Sequence, residues 1–419
     1  MANPFSKHNR KKLLLFLAVM GPGLITACAD NDAGGIATYS TAGAHYGYSL
    51  LWMLFAITFS LALCQEMCAR MGAVTGKGLS DLIREEFGIR WTFFAMAVLL
   101  VANVGVTIAD FAGIAASLEI FGITRYVSVP VAALVIWLVI IKGSYRMMEY
   151  IFFVFGAFQL CYVVAGSLAP VHWGLALRSL VIPSFRMDPG YLMIAIAMIG
   201  TTITPWMQFY LQASIVDKGI TAKLYKYEKA DVLFGAFVTD FIAFFIIVTC
   251  AATLFSHGVR VESAQDAALA LAPISSRFAS ALFAIGLFGA SILTASIVPL
   301  STAYAVSEAF GFESGVSKKF SEAPVFFGLF TFMILIGVAA VLWPGLSLIK
   351  VMVLSQTVNG ILLPVVLIFI LLLVNRPEVM GKHVNGRIYN LVSWATAAGI
   401  ILLTILLLVT TLFPVMRGF

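Results

Sequence analysis

Runs of about 20 apolar residues, separated by short polar stretches, recur along the whole chain. Each is long enough to cross a bilayer as a helix. In hydrocarbon a helix satisfies every backbone donor and acceptor within its own segment. The pattern predicts an all-α membrane protein with eleven spans, at approximately 13–46, 48–72, 91–121, 126–142, 148–169, 190–216, 231–255, 280–309, 325–343, 346–374 and 388–414. No long hydrophilic stretch interrupts them, so residues 1–419 read as a single transmembrane domain. Arg10-Lys11-Lys12 precede the first run, as they would in a signal peptide. The run continues past signal-peptide length without a clear small-residue cleavage site, and reads as a retained helix.

Two of the runs are interrupted by polar residues. Asp30-Asn31-Asp32-Ala33-Gly34-Gly35 lies near the middle of the first. Carboxylates at bilayer depth are costly and ordinarily face a cavity. The glycine pair is expected to let the helix unwind and to turn carbonyls toward the same space. Thr201-Thr202-Ile203-Thr204-Pro205 interrupts the sixth. Pro205 has no amide donor and clashes with the carbonyl of Thr201. The three threonines add hydroxyls at that depth, unless they bond back to their own helix around a simple proline kink. Each break opens a block of five spans, about 13–169 and 190–374, with an extra helix at about 388–414. An odd number of spans per block runs the two halves in opposite directions. Interrupted helices at matching positions of inverted repeats mark a transport site.

Composition and charge sharpen this picture. The chain is 61% hydrophobic and 11% charged, against about 25% charged in soluble domains. Of the 26 Lys and Arg, Arg125, Arg178, Arg186, Arg260, Arg277, Lys350 and Arg417 fall in segments placed outside, and the other nineteen fall inside. The bias predicts a cytoplasmic N-terminus and an outside C-terminus in a bacterial inner or plasma membrane. It also accounts for the net charge of +6 without a nucleic-acid partner. The lipid bilayer and a cation are the partners called for, and no obligate protein partner is evident. No Lys or Arg lies near the middle of a span, whereas Asp30, Asp32, Glu66, Asp110 and Asp240 do. Buried acids without basic partners protonate or bind a cation. The five cysteines, Cys28, Cys64, Cys68, Cys161 and Cys250, are odd in number and lie within the runs, which argues against disulfides. Cys64 and Cys68 share a helix face with no histidine beside them and read as packing residues. None of His8, His45, His172, His257 and His383 has metal-ligand spacing with another. No nucleophile–base pair or phosphate-cradling loop points to an enzyme, and no cofactor is implied.

Gly21-Pro22-Gly23-Leu24-Ile25, the acidic break and Gly47-Tyr48-Ser49-Leu50-Leu51-Trp52 resemble the opening of the NRAMP divalent-metal transporters. Ala69 to Lys77, Ala197-Met198-Ile199-Gly200, Val353-Leu354-Ser355-Gln356 and Leu363-Pro364 resemble later motifs of the same family. The resemblance covers nearly the whole chain. It implies a leucine-transporter-like fold with two inverted five-helix repeats, broken helices 1 and 6, and alternating access. It also implies a metal held by Asp32, Gly35, Thr201, Thr204 and Gln356. The family pattern of Asp-Pro-Gly-Asn in the first span becomes Asp32-Ala33-Gly34-Gly35 here. Met-Pro-His in the sixth becomes Thr204-Pro205-Trp206. These departures resemble the NRAMP-related magnesium transporters.

The chemistry of the substitutions points the same way. A thioether favours transition metals, whereas carboxylate, hydroxyl, carbonyl and amide oxygens suit Mg²⁺ and Mn²⁺. Gly35 in place of Asn is expected to leave room for a partly hydrated ion in a wide, wet site. The family's acid pair in the third span is represented by Asp110 and Gly113, and the ninth-span arginine has no counterpart in Phe326 to Val341. Uptake of Mg²⁺ and Mn²⁺ without proton coupling is therefore the expected function. The membrane potential supplies about 2.3 kcal/mol per elementary charge per 100 mV, roughly twice that for a divalent ion. The runner-up is a proton-coupled Mn²⁺ or Fe²⁺ transporter of the main NRAMP type, for which Cys28, one turn before Asp32, is the nearby soft ligand. A sodium-coupled amino-acid carrier is disfavoured, since Asp32 would repel the substrate carboxylate. Asp30 is expected either to line a vestibule or to be a bonded structural acid. Glu66 and Asp240 are expected to face a cavity or to be protonated, and Trp206 to pack or to shape the aqueous path.

Overall fold

The computed structural model describes residues 22–142, 158–271 and 279–412. These residues are helical, with no strand among them. Two half-helices, α1 (Pro22–Asp30) and α2 (Ala33–Tyr46), are followed by α3 (Leu51–Thr75), α4 (Leu79–Phe87), α5 (Ile89–Glu119) and α6 (Arg125–Lys142). Then come α7 (Leu160–Leu168), α8 (Trp173–Val181), a second pair of half-helices α9 (Pro189–Thr202) and α10 (Pro205–Asp217), and α11 (Tyr225–Thr253). The chain closes with α12 (Ala279–Phe310), α13 (Pro324–Val341), α14 (Leu348–Val374) and α15 (Arg387–Leu412), with short helical turns in the loops. Nine helices among the described residues are long and apolar enough to cross a membrane, the α9–α10 pair counting as one. Residues 13–21 of the first expected span, 148–157 of the fifth and the tail with Arg417 lie outside the described residues. The short helices α4 and α8 were not expected. At nine residues each they are too brief to register as apolar runs.

The inner and outer helices differ in what they expose. Helices α9 and α10 are almost wholly buried, while α6 and α15 turn large apolar side chains outward, including Val131, Leu134, Ile388, Leu391 and Leu402. A soluble protein would expose polar groups there, and hydrocarbon accepts these side chains without cost. Inside the bundle, α5 packs along α12 and α14, and α11 packs along α1, α2 and α3.

Small residues set the closest crossings. At Gly200 a Cβ would strike the backbone carbonyl of Gln356 and the backbone of Gly360. At Gly360 it would strike the Ile196 carbonyl. Helices α9 and α14 therefore meet backbone to backbone, as small residues permit in membrane proteins. That contact brings Thr201, the next residue on α9, toward the Gln356 turn of α14. Gly200→Ala should lower stability by about 1–3 kcal/mol, the usual range for overpacking, read as a lower midpoint of thermal denaturation in detergent. An unchanged midpoint would show that the two backbones do not touch.

Candidate metal site

The first break is shorter than the composition suggested. Only Asn31 and Asp32 leave the helix, and Ala33, Gly34 and Gly35 form the opening turn of α2. Asp32 is the N-cap of α2, and its Oδ1 accepts from the Gly35 amide at 2.5 Å. An acidic N-cap satisfies an orphan amide and sits at the positive end of the half-helix. The glycines are thus needed for close approach, not for unwinding. A Cβ at Gly34 would collide with the Gln356 side chain, and one at Gly35 would lie 2.8 Å from Thr201 Oγ1 and 3.2 Å from Asp32 Oδ1.

The second break falls at Ile203 and Thr204. Pro205 stands in the first turn of α10 with Thr204 as N-cap, a position where its missing amide costs nothing. It starts a new half-helix and does not kink a continuous one. The three threonines take different roles. Thr202 bonds back to Met198 O at 2.8 Å and accepts from Tyr39 OH at 2.7 Å. The Thr201 hydroxyl faces the Asp32 carboxylate without forming a well-aligned hydrogen bond. The Thr204 hydroxyl is buried and makes no hydrogen bond, either as a cap or to Asp32.

Gln356 completes the arrangement from α14. Its Nε2 donates to both oxygens of Asp32, at 3.0 and 2.8 Å. Asp32, Gly35, Thr201 and Gln356 therefore converge on one point, and Thr204 lies at the adjoining break. Asp32 is 1% exposed and Gln356 0%. The wide, wet cavity expected from Gly35 is not what this conformation holds, because the Thr201 hydroxyl and the Gln356 amide fill the space beside the carboxylate. The donors about Asp32 are neutral N–H and O–H groups. No cluster of three or more His, Cys, Asp or Glu suited to a metal occurs among the described residues. A cation here would be held by one carboxylate and neutral oxygens.

The other acids separate by environment. Asp30 accepts from Thr239 Oγ1 at 3.0 Å, and Asn31 donates to the Thr239 carbonyl and hydroxyl at 3.0 Å each. Asn31 O also accepts from Gln159 Nε2 at 3.0 Å, so the break is strapped to α11 and to the segment before α7. Asp30 is buried, 2% exposed, and lies within reach of Asp240. Asp110 accepts from Thr294 Oγ1 at 2.6 Å and lies beside Ala33 and Asp32. At Gly113 a Cβ would collide with Ser291 Oγ and Ala33 Cβ, so the fold has no space for a second acid there. Glu66 is a correction: it does have basic partners. It pairs with Arg70 at 3.3 Å and Lys229 at 3.6 Å and accepts from Tyr225 OH. Arg70 also donates to His383 O at 2.7 Å and to Asn385, which ties α3 to the loop before α15. Trp206 is fully buried, and its carbonyl accepts from Ser301 at 3.0 Å. Of Cys28 only the backbone is described.

Residue types alone did not single out Thr294, Thr239 or Asn359, each of which bonds a site residue or a neighbour of one. The available signal was position. Each is a polar residue within an apolar span, and Asn359 follows Gln356 by one helical turn.

Known proteins extend this picture. The chain is 26% identical over 412 residues to a divalent metal cation transporter MntH of Bacillus subtilis, spanning 94% of this chain and 92% of that protein. It is 27% identical over 408 residues to the protein of the same name from Deinococcus radiodurans, spanning 92% and 88%. A crystal structure of the Eremococcus coleocola manganese transporter, in complex with an aromatic bis-isothiourea compound, superposes with a TM-score of 0.78 at 21% identity. That match covers 98% of this chain and 88% of the other. It establishes the leucine-transporter-like fold. The sequence profile of the natural resistance-associated macrophage protein-like family, Nramp, matches residues 23–410, and the chain belongs to that family of divalent metal cation transporters.

Proposed function

We propose that this transporter carries a hard divalent cation, Mg²⁺ or Mn²⁺, into the cell down its electrochemical gradient and without a coupled proton. Asp32 is the charged ligand. Gln356 Oε1, the Thr201 and Thr204 hydroxyls and backbone oxygen near Gly35 are the neutral ones. The observation that carries the reading is the donor set: residues 30–35 and 201–206, which contain the two breaks, hold neither thioether nor imidazole, and of their two carboxylates Asp32 is the one bonded to Gln356. Oxygen-only sites suit Mg²⁺ and Mn²⁺. The likeness to the magnesium branch of the family rests on the same substitutions. The packed Gly113 position and the absence of a basic residue from α13 support transport without a proton. The orientation proposed is N-terminus inside, from the distribution of basic residues.

The relatives' names favour a second reading, since the Eremococcus protein is called a manganese transporter. Mn²⁺ with proton coupling would then use Asp110, which sits beside Asp32.

In liposomes loaded with a Mg²⁺-sensitive dye and a pH dye, metal should enter without acidification. Acidification that tracks metal entry would transfer the assignment to the proton-coupled reading. Asp32→Ala should reduce uptake to the rate of empty liposomes. Thr204→Met should shift competition toward Mn²⁺ and softer metals, and unchanged selectivity would remove Thr204 from the ligand set.

A further inference from the structure

One buried polar side chain next to the site is left half satisfied. Asn359 lies three residues after Gln356 on α14, one turn along the same face. It is fully buried. Its Nδ2 donates to Gln356 Oε1 at 2.8 Å, and its Oδ1 has no hydrogen-bond partner. Gln356 presents Nε2 to both Asp32 oxygens. The donors therefore run in one direction along the row, from Asn359 to Gln356 and from Gln356 to Asp32. In this order the Gln356 amide occupies the side of the carboxylate where a cation would sit. Its own oxygen, the atom able to ligate a metal, is turned away.

A cation at Asp32 reverses the demand. An amide NH₂ donates and offers a metal no lone pair, so Oε1 has to come round. Nε2 then faces Asn359 Nδ2, and two donors cannot pair. If Asn359 turns as well, its Oδ1, now unpartnered, accepts from Gln356 Nε2. Both orders then keep a hydrogen bond between the two amides.

We propose that Gln356 and Asn359 form a two-position amide relay in which Asn359 sets whether Gln356 offers its NH₂ to Asp32 or its oxygen to the ion. Asn359 is a positioning residue and touches no ion. The proposal rests on the assignment of Asp32 and Gln356 as ligands. In the ion-free carrier the relay gives the buried carboxylate two amide hydrogen bonds.

The test is a double-mutant cycle on the full-length protein, read as Mn²⁺ and Mg²⁺ binding by calorimetry and as KM and maximal rate in liposomes. Asn359→Leu orphans the Gln356 amide in the loaded state, where an unpaired N–H is harder to tolerate than the under-bonded carbonyl it leaves in the empty state. Binding should weaken about tenfold, which corresponds to about 1.4 kcal/mol. In a Gln356→Glu background, where the side chain presents oxygen at either end and nothing has to turn, the same substitution should change binding less than about twofold. Asn359→Asp keeps the cycle readable should Asn359→Leu fail to fold. Its carboxylate only accepts, so it presets the loaded order, lowering KM and slowing turnover by several-fold more in the parent than in the Gln356→Glu background. Equal effects in the two backgrounds, or parental binding by Asn359→Leu, overturn the relay. Uptake that survives Asp32→Ala overturns the ligand assignment itself, an outcome distinct from parental binding by Asn359→Leu in a carrier that Asp32→Ala inactivates.

Discussion

A carboxylate held away from water must be given hydrogen bonds, a proton or a cation, and the centre of this protein is arranged around that requirement at Asp32. Its oxygens face the Gly35 amide and the Gln356 amide. Neither partner could reach it if the chain were less spare nearby. Gly34 gives Gln356 its place, Gly35 admits the Thr201 hydroxyl, and Gly200 lets α14 approach until Gln356 is within range. The polar chemistry at the middle of the membrane is therefore built by small residues in the helices around it.

The acids near the site show how environment divides similar groups. Asp30, two residues before Asp32, is bonded to Thr239 and held with Asn31 against α11. Asp110 is tied to Thr294 on α12. Glu66 is neutralised by Arg70 and Lys229. Asp32 differs from all three in lying where both interrupted helices end and in having a long neutral amide, not a hydroxyl or a base, as its main partner. A side chain of that kind can exchange one functional group for another by rotation, which a threonine hydroxyl or an arginine cannot do.

Much of the fold was legible in the sequence because hydrocarbon forces the pattern. Spans of about 20 apolar residues have no other stable conformation in lipid. Among the described residues the second, third, fourth, sixth and eighth to eleventh expected spans match helices to within a few residues, while the helix of the seventh begins six residues early. The two breaks were legible because Asp and Pro are conspicuous there. Their local form was not, since whether Gly34-Gly35 unwinds or starts a helix depends on how near Gln356 and Thr201 come, and one segment does not carry that information. Glu66 was misjudged only in part for the same reason: Arg70 is one helical turn away and was in view, whereas Lys229 is 163 positions away in the chain and only the packing of α11 on α3 makes it a partner. The role of Asn359 was visible only once Gln356 was seen to point its amide at a carboxylate.

The backbone contact between Gly200 and Gly360 also bears on motion. Two helices separated by side chains can slide as those side chains change rotamer, but two backbones in contact have no such freedom. Helices α9 and α14 are then held most closely at this one crossing. The unwound joints at Asn31–Asp32 and Ile203–Thr204 differ from it in kind, because their torsions are not locked by a helical ladder.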